Sequence, residues 1–178
     1  MSGCLIAFEG LDQSGKQTQA ELLRDRLTSG GHTVRLLSFP DYTTDIGAEI
    51  GRALRGEREY TADVMQLLYI ANRYEWKADI ERAKASGTIV VCDRYLASSV
   101  AYGEAQGLDA EWLSDIQKHL PGPDITFLLD IPPEVSAGTY TGQPSADIEG
   151  KAFTLTAARL GIAEPDSYEA QATDWASL

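Results

Sequence analysis

Residues 10–18, GLDQSGKQT, constrain this chain more than any other stretch. Gly10 is followed by four residues and then by Gly15 and Lys16, the spacing of a phosphate-binding loop. Spacing alone is weak evidence, because a glycine turn beside a surface lysine also produces it. The context strengthens it. The apolar run CLIAF (4–8) precedes the loop, short and continuous as in a buried parallel strand. Ala20, Leu22, Leu23 and Leu27 follow with helical spacing until Gly30 and Gly31 stop it. In such a strand–loop–helix unit the glycines let main-chain N–H groups converge on phosphate oxygens, and the helix N-terminus adds partial positive charge. The candidate phosphate-binding residues are therefore Gly10, Gln13, Ser14, Gly15, Lys16, Gln17 and Thr18, with Lys16 supplying a mobile full charge. Gln17 stands where a serine or threonine usually reaches Mg²⁺, so the ion is expected on phosphates, water and an acid elsewhere. Asp93 is the candidate acid. It ends the apolar run TIVVC (88–92), as a Walker-B carboxylate does, although an aspartate there also suits a helix cap.

The rest of the chain alternates strand and helix signals. TVRLLSF (33–39) reads as a strand stopped by Pro40, and DITFLLDI (124–131) as another stopped by Pro132 and Pro133. Helices are predicted over 45–55, 61–86 with Thr61 as cap, 97–103 and 109–119. This alternation specifies an α/β fold, a parallel sheet covered on both faces. At 178 residues the chain fits one domain. Its formal net charge of −12, with no Lys/Arg run, argues against nucleic-acid binding. A polyanionic substrate must instead meet a few concentrated cations. Cys4 and Cys92 lie inside apolar runs and read as small buried hydrophobes. His32 and His119 have no metal-site or nucleophile pattern around them. The apolar N-terminal run is too short for a signal peptide or membrane span, so a cytoplasmic location is expected, with no membrane partner.

Three further segments, SFPDYTTDIG (38–47), LLYIANRYE (67–75) and DRYLASSVAY (93–102), carry a family resemblance together with the phosphate loop. Together they are similar to the thymidylate kinase family over residues 4–133, in order and with suitable spacing. The resemblance implies a P-loop NTPase three-layer α/β/α sandwich with a mostly parallel five-stranded sheet. It implies ATP as phosphate donor, Mg²⁺ as cofactor and dTMP as acceptor. Asp12 would bond the deoxyribose 3′-hydroxyl and join Asp93 near the metal. Phe39 and Tyr69 would line the thymine pocket, with Tyr69 stacking on the base. Arg73, four residues on and on the same helical face, would read a thymine carbonyl. Arg94 would clamp the acceptor phosphate. Ser98 and Ser99 would contact the pyrimidine, although serines there also suit helix caps, and Tyr102 would exclude ribonucleotides. Lys16, Arg94, Asp93 and Asp12 form the implied catalytic set. The family also implies a homodimer through helices in 45–86, where Ile46, Ile50, Leu54, Leu67 and Leu68 serve equally well as core.

The resemblance fades after residue 133. Residues 134–178 hold seven acidic and two basic residues, Lys151 and Arg159, and read as a divergent lid region and a truncated C-terminal part. A helix is expected around 149–160 and a second around 165–173. Phosphoryl transfer needs cations over the transferring group, and a supplied arginine is worth ~10³–10⁵ in rate. Yet Gln13 and Tyr42 stand where relatives place arginines, and residues 136–152 contain none. The expectation is retained substrate binding with impaired turnover. The alternatives are a nucleotide-binding pseudokinase or a related deoxynucleoside kinase.

Overall fold

The computed structural model describes residues 3–131 and 155–157. Its elements run β1 (Leu5–Gly10), α1 (Lys16–Ser29), β2 (Val34–Ser38), α2 (Asp45–Leu54), α3 (Ala62–Glu75), α4 (Lys77–Ala85), β3 (Ile89–Asp93), α5 (Leu96–Ala105), α6 (Ala110–Asp115), β4 (Ile125–Leu129) and β5 (Leu155–Ala157). The sheet order is β2-β3-β1-β4-β5. The first four strands in that order pair in parallel, and β5 pairs antiparallel with β4. The mostly parallel five-stranded sheet is thus present.

Side-chain alternation along the strands builds the layers. Leu5, Ala7, Val90 and Cys92 point into one core with Leu37, Phe39, Ile80 of α4 and Tyr95. Ile6, Phe8 and Val91 point into the other with Ala20 of α1 and Leu129. Burying each of these aliphatic side chains stabilises by roughly 1.5–3 kcal/mol. Phe8 also stacks on Phe127 across β1 and β4, ring centroids 5.1 Å apart. Because β1 and β3 are neighbours with Phe8 opposite Asp93, the loop after β1 and the acid ending β3 emerge side by side.

Three predicted elements are corrected. The helix expected over 61–86 is two, α3 and α4, separated at Trp76. No glycine or proline marks that break. Trp76 packs against the first core and lies under the Arg35 guanidinium, 4.8 Å from its centroid, while α4 buries Ile80 against the sheet. Thr61 takes the N-cap position of α3, but its hydroxyl bonds the Asp63 carboxylate and not the main chain. The 109–119 helix is the shorter α6, capped by Asp109 accepting from the Trp112 N–H at 2.6 Å. The helix expected around 149–160 is contradicted at 155–157, which form β5. Pairing with β4 satisfies backbone groups that a bare sheet edge would leave open, and that long-range gain outweighs weak local helix signals. The second expected helix, 165–173, the arginine-free segment 136–152, Lys151 and Arg159 lie outside the described residues.

Candidate functional site

The phosphate loop leaves β1 through Gly10 at φ 143° and reaches α1 through Gly15 at φ 88°, conformations that favour glycine. Gln13 between them also adopts a positive φ, 61°. The Ser14 N–H donates to the Leu11 carbonyl at 3.2 Å, closing the turn. Lys16 is 5% exposed. Its ammonium donates to the Leu11 carbonyl and, at 3.3 Å, to Ser14 Oγ. Burial and then the Arg94 charge hold its pKa below the usual lysine value, with Asp93, Asp12 and Glu9 opposing. Gln13, Gln17 and Thr18 are exposed at the mouth, where Gln17 bonds Glu21 at 2.9 Å.

Asp93 faces this loop from β3. Burial raises its pKa, while Lys16 and a 3.2 Å bond from Ser38 Oγ to Oδ2 oppose that. Its Oδ1 is buried with no hydrogen-bond partner among the described residues. The α5 N-cap position belongs to Tyr95, so Asp93 is not that helix's cap. A carboxylate with one oxygen anchored and the other open beside a phosphate loop fits a divalent cation held through phosphate and water.

A cleft of about 240 Å³ opens beside the loop. It is lined by Asp12, Phe39, Tyr69, Arg73, Arg94, Ser98, Ser99 and Tyr102, every acceptor-side residue read from the sequence. Arg94 holds a positive φ of 64° unusual for a side chain of its size. Its main-chain N–H donates to the Phe8 carbonyl at 2.9 Å, which helps fix that geometry. Its guanidinium pairs with Asp12 and lies 5.4 Å from the centroid of Tyr102. Arg73 is fully interior. It donates to Ser99 Oγ at 2.6 Å and to Gln117 Oε1 at 3.4 Å, and its Nε has no partner among the described residues. Burial pushes its pKa down to about 10. It is therefore no surface ion-pair arginine. A buried donor fork with bonds still to make is suited to a ligand carbonyl. His32 and His119 are exposed and neither lines this cleft.

Comparison with known proteins agrees with this geometry. The sequence profile of the thymidylate kinase family matches residues 8–156. The chain belongs to the thymidylate kinase family. It is 40% identical over 149 residues to thymidylate kinase of Schizosaccharomyces pombe, covering 83% of this chain and 71% of that protein. It is 40% identical over 135 residues to thymidylate kinase of Arabidopsis thaliana, covering 76% of this chain and 51% of that protein. The chain thus spans between about half and seven tenths of these relatives' lengths. Among solved structures, thymidylate kinase of Candida albicans superposes with TM-score 0.68 at 33% identity, over 76% of this chain and 66% of the other. The Ehrlichia chaffeensis enzyme superposes with TM-score 0.67 at 30% identity, over 79% and 86%.

Three residues in or beside this candidate site were not singled out from sequence. Glu9, 4% exposed, ends the apolar β1 run. Its Oε1 accepts the main-chain N–H groups of Tyr95, Ala97 and Ser98 at 2.9, 3.1 and 3.4 Å, and its Oε2 accepts from Ser98 Oγ at 2.6 Å. A carboxylate from another strand thus caps α5, and Ser98 and Ser99 sit inside the helix and not at its cap. Asn72, within the LLYIANRYE segment, is fully buried and ties α3 to the SFPDY loop. It accepts from the Asp41 N–H at 2.7 Å and donates to Thr44 Oγ1 at 2.8 Å and Glu75 at 2.9 Å. Gln66 lines the cleft floor. A charged residue closing a buried strand was the available signal for Glu9. Gln66 offered none beyond helical phase with Tyr69 and Arg73, and Asn72 none beyond its place in LLYIANRYE.

Proposed function

We propose that this chain transfers the γ-phosphoryl group of ATP to dTMP, giving ADP and dTDP. The carrying observation is the cleft that joins the phosphate loop to Arg94 at one end and buried Arg73 at the other. A charged nucleotide end belongs with Arg94, and a carbonyl-bearing base with Arg73, whose fork cannot accept from an amino group. Tyr69 lies between them in sequence phase to face the base, and Asp12 is near enough to Arg94 to bond the sugar.

The loop N–H groups and Lys16 would hold the donor's terminal phosphates. Releasing the Lys16 ammonium from Leu11 and Ser14 supplies their charge partner. Arg94 would hold the acceptor phosphate in line, exchanging its Asp12 partner for phosphate oxygens and leaving Asp12 to the 3′-hydroxyl. In this reading Asp93, not Asp12, holds Mg²⁺, with Ser38 fixing its other oxygen. When bound, Mg²⁺ neutralises charge that builds on the transferring phosphoryl oxygens. No covalent enzyme intermediate is involved. Gln13 and Tyr42 bring no positive charge to that group, so turnover falls below the ordinary kinase range of ~1–100 s⁻¹. A homodimer through α2 and α3 is part of the proposal. Leu54 and Leu67 are 58% and 46% exposed on those helices, whereas Ile50 is core. Among the described residues no helix is long and apolar enough to cross a membrane.

Isotope transfer from γ-labelled ATP, with dTMP, thymidine or dCMP as acceptor, tests the activity. Label appearing in dTDP alone is the expected result. Calorimetric binding of dTMP without label transfer would leave a binding protein and overturn the kinase reading. Transfer at ordinary kinase rates would overturn only the slow-turnover part.

A further inference from the structure

Gln66, Tyr69 and Arg73 fall at i, i+3 and i+7 of α3 and share one face toward the cleft. Gln66 is 1% exposed, and its Oε1 has no hydrogen-bond partner among the described residues. Gly103 packs beside this side chain. A Cβ on Gly103 of α5 would lie 2.4 Å from Leu113 Cδ1, so α5 packs too closely there for a side chain, and that Cβ would lie at ordinary contact distance, 3.4 Å, from Gln66 Cγ. A buried amide carbonyl without a donor costs stability, which points to a partner that arrives with a ligand.

The chemistry of the base identifies that partner. A keto pyrimidine presents an acceptor at O4, a donor at N3–H and an acceptor at O2. Arg73 carries only donors and cannot meet N3–H. Ser98 Oγ donates to Glu9 and accepts from Arg94 at 3.5 Å, and Ser99 Oγ accepts from Arg73, so both serine oxygens are already engaged. Among the residues lining the cleft, Gln66 Oε1 is a buried acceptor with no bond at all among the described residues. Its terminal amide torsion is soft, so a rotation within the floor suffices to turn the carbonyl to the ligand.

We propose that Gln66 is a specificity residue whose Oε1 accepts from the N3–H of a bound pyrimidine while Arg73 donates to the adjoining carbonyl. The pair then reads the keto edge and rejects the amino edge of cytosine. This deepens the acceptor reading above and rests on it.

The test is calorimetric binding, which needs no turnover, using the full chain with dTMP, 3-methyl-dTMP and dCMP. The proteins compared are the unaltered chain, Gln66→Leu, Gln66→Met and Ser99→Ala. The unaltered chain is expected to lose about tenfold or more in affinity on N3-methylation. Gln66→Leu is expected to bind dTMP about tenfold more weakly, to show no further loss with 3-methyl-dTMP, and to discriminate less against dCMP. Gln66→Met, closer in shape and without the acceptor, gives the same reading if Gln66→Leu fails to fold. Unchanged dTMP affinity in the folded variants overturns the proposal, as does a methylation penalty that persists in them or vanishes in Ser99→Ala instead. Failure of the unaltered chain to bind dTMP would overturn the function itself and this inference with it.

Discussion

The phosphate loop and the base end of the cleft, assigned to the two different substrates of the proposed transfer, are built in opposite ways. The loop is one contiguous segment whose binding groups are mostly main-chain N–H, and its one buried charge is satisfied internally by Leu11 and Ser14. The base end draws side chains from the SFPDY loop, α2, α3 and α5, and leaves polar atoms of Gln66 and Arg73 unpaired among the described residues. The first arrangement is stable and indifferent to base identity. In the proposed reading the second gives up stability to hold donors and acceptors open for one edge of one base. Substitutions in the loop should therefore slow transfer, and substitutions at the base end should change selectivity with little loss of fold.

The largest separation of the two comes from Lys16→Ala. Transfer should fall about 10³-fold, because a full charge over the developing phosphoryl oxygens is gone. Affinity for dTMP should stay within about twofold, as Lys16 does not line the acceptor cleft. Comparable losses of dTMP binding and rate would merge the two regions and break the contrast. Arg94→Ala sits at their junction and comes next. Acceptor affinity should weaken about 10²-fold for dTMP and far less for thymidine, which has no phosphate to clamp. Calorimetry with both ligands checks this, and equal losses would place Arg94 outside phosphate recognition.

The same contrast explains how much could be read in advance. The loop was legible because its chemistry lies in consecutive residues between two periodic elements. The strands β1 to β4 and the helices α1, α2 and α5 were legible from apolar runs and spacing. The acceptor residues were legible only through a family resemblance, since Phe39, Tyr69, Arg94 and Tyr102 share no local pattern. Glu9 capping α5 from 86 to 89 residues away has no local signature at all. Neither has β5, whose three residues are strand only because β4 offers an edge. The Trp76 break arises from packing against the core and not from a helix-breaking residue.

Arg73→Met removes the base-end charge. Affinity for dTMP should drop roughly 10- to 100-fold, and preference over dCMP should shrink. Thermal stability should hold or rise, because an interior guanidinium with an unpaired Nε gives way to an apolar side chain of similar reach. A fall in stability as large as the fall in affinity would mean Arg73 is a structural strut, and the contrast between rigid loop and open base end would lose its main support.

The smallest effect tests whether the loop side also holds one open group. Asp93 is that group, with burial raising its pKa above the ordinary 3.8. Between that value and the folded value the native state binds more protons than the unfolded chain. Its contribution to stability therefore declines as pH rises through this window. Asp93→Asn has no such proton to lose. Without metal or nucleotide, the variant should match the unaltered protein near pH 4 and melt about 1–2 °C higher at neutral pH. Adding Mg²⁺ and ATP should reverse the order, stabilising the unaltered protein more than the variant, because only the carboxylate offers the cation a charged oxygen. Melting curves across pH, with and without Mg²⁺–ATP, measure both halves. A constant gap at every pH would mean that ionisation of Asp93 costs the fold nothing. An unreversed gap would take the cation away from Asp93 and leave the phosphate loop without its metal-side acid.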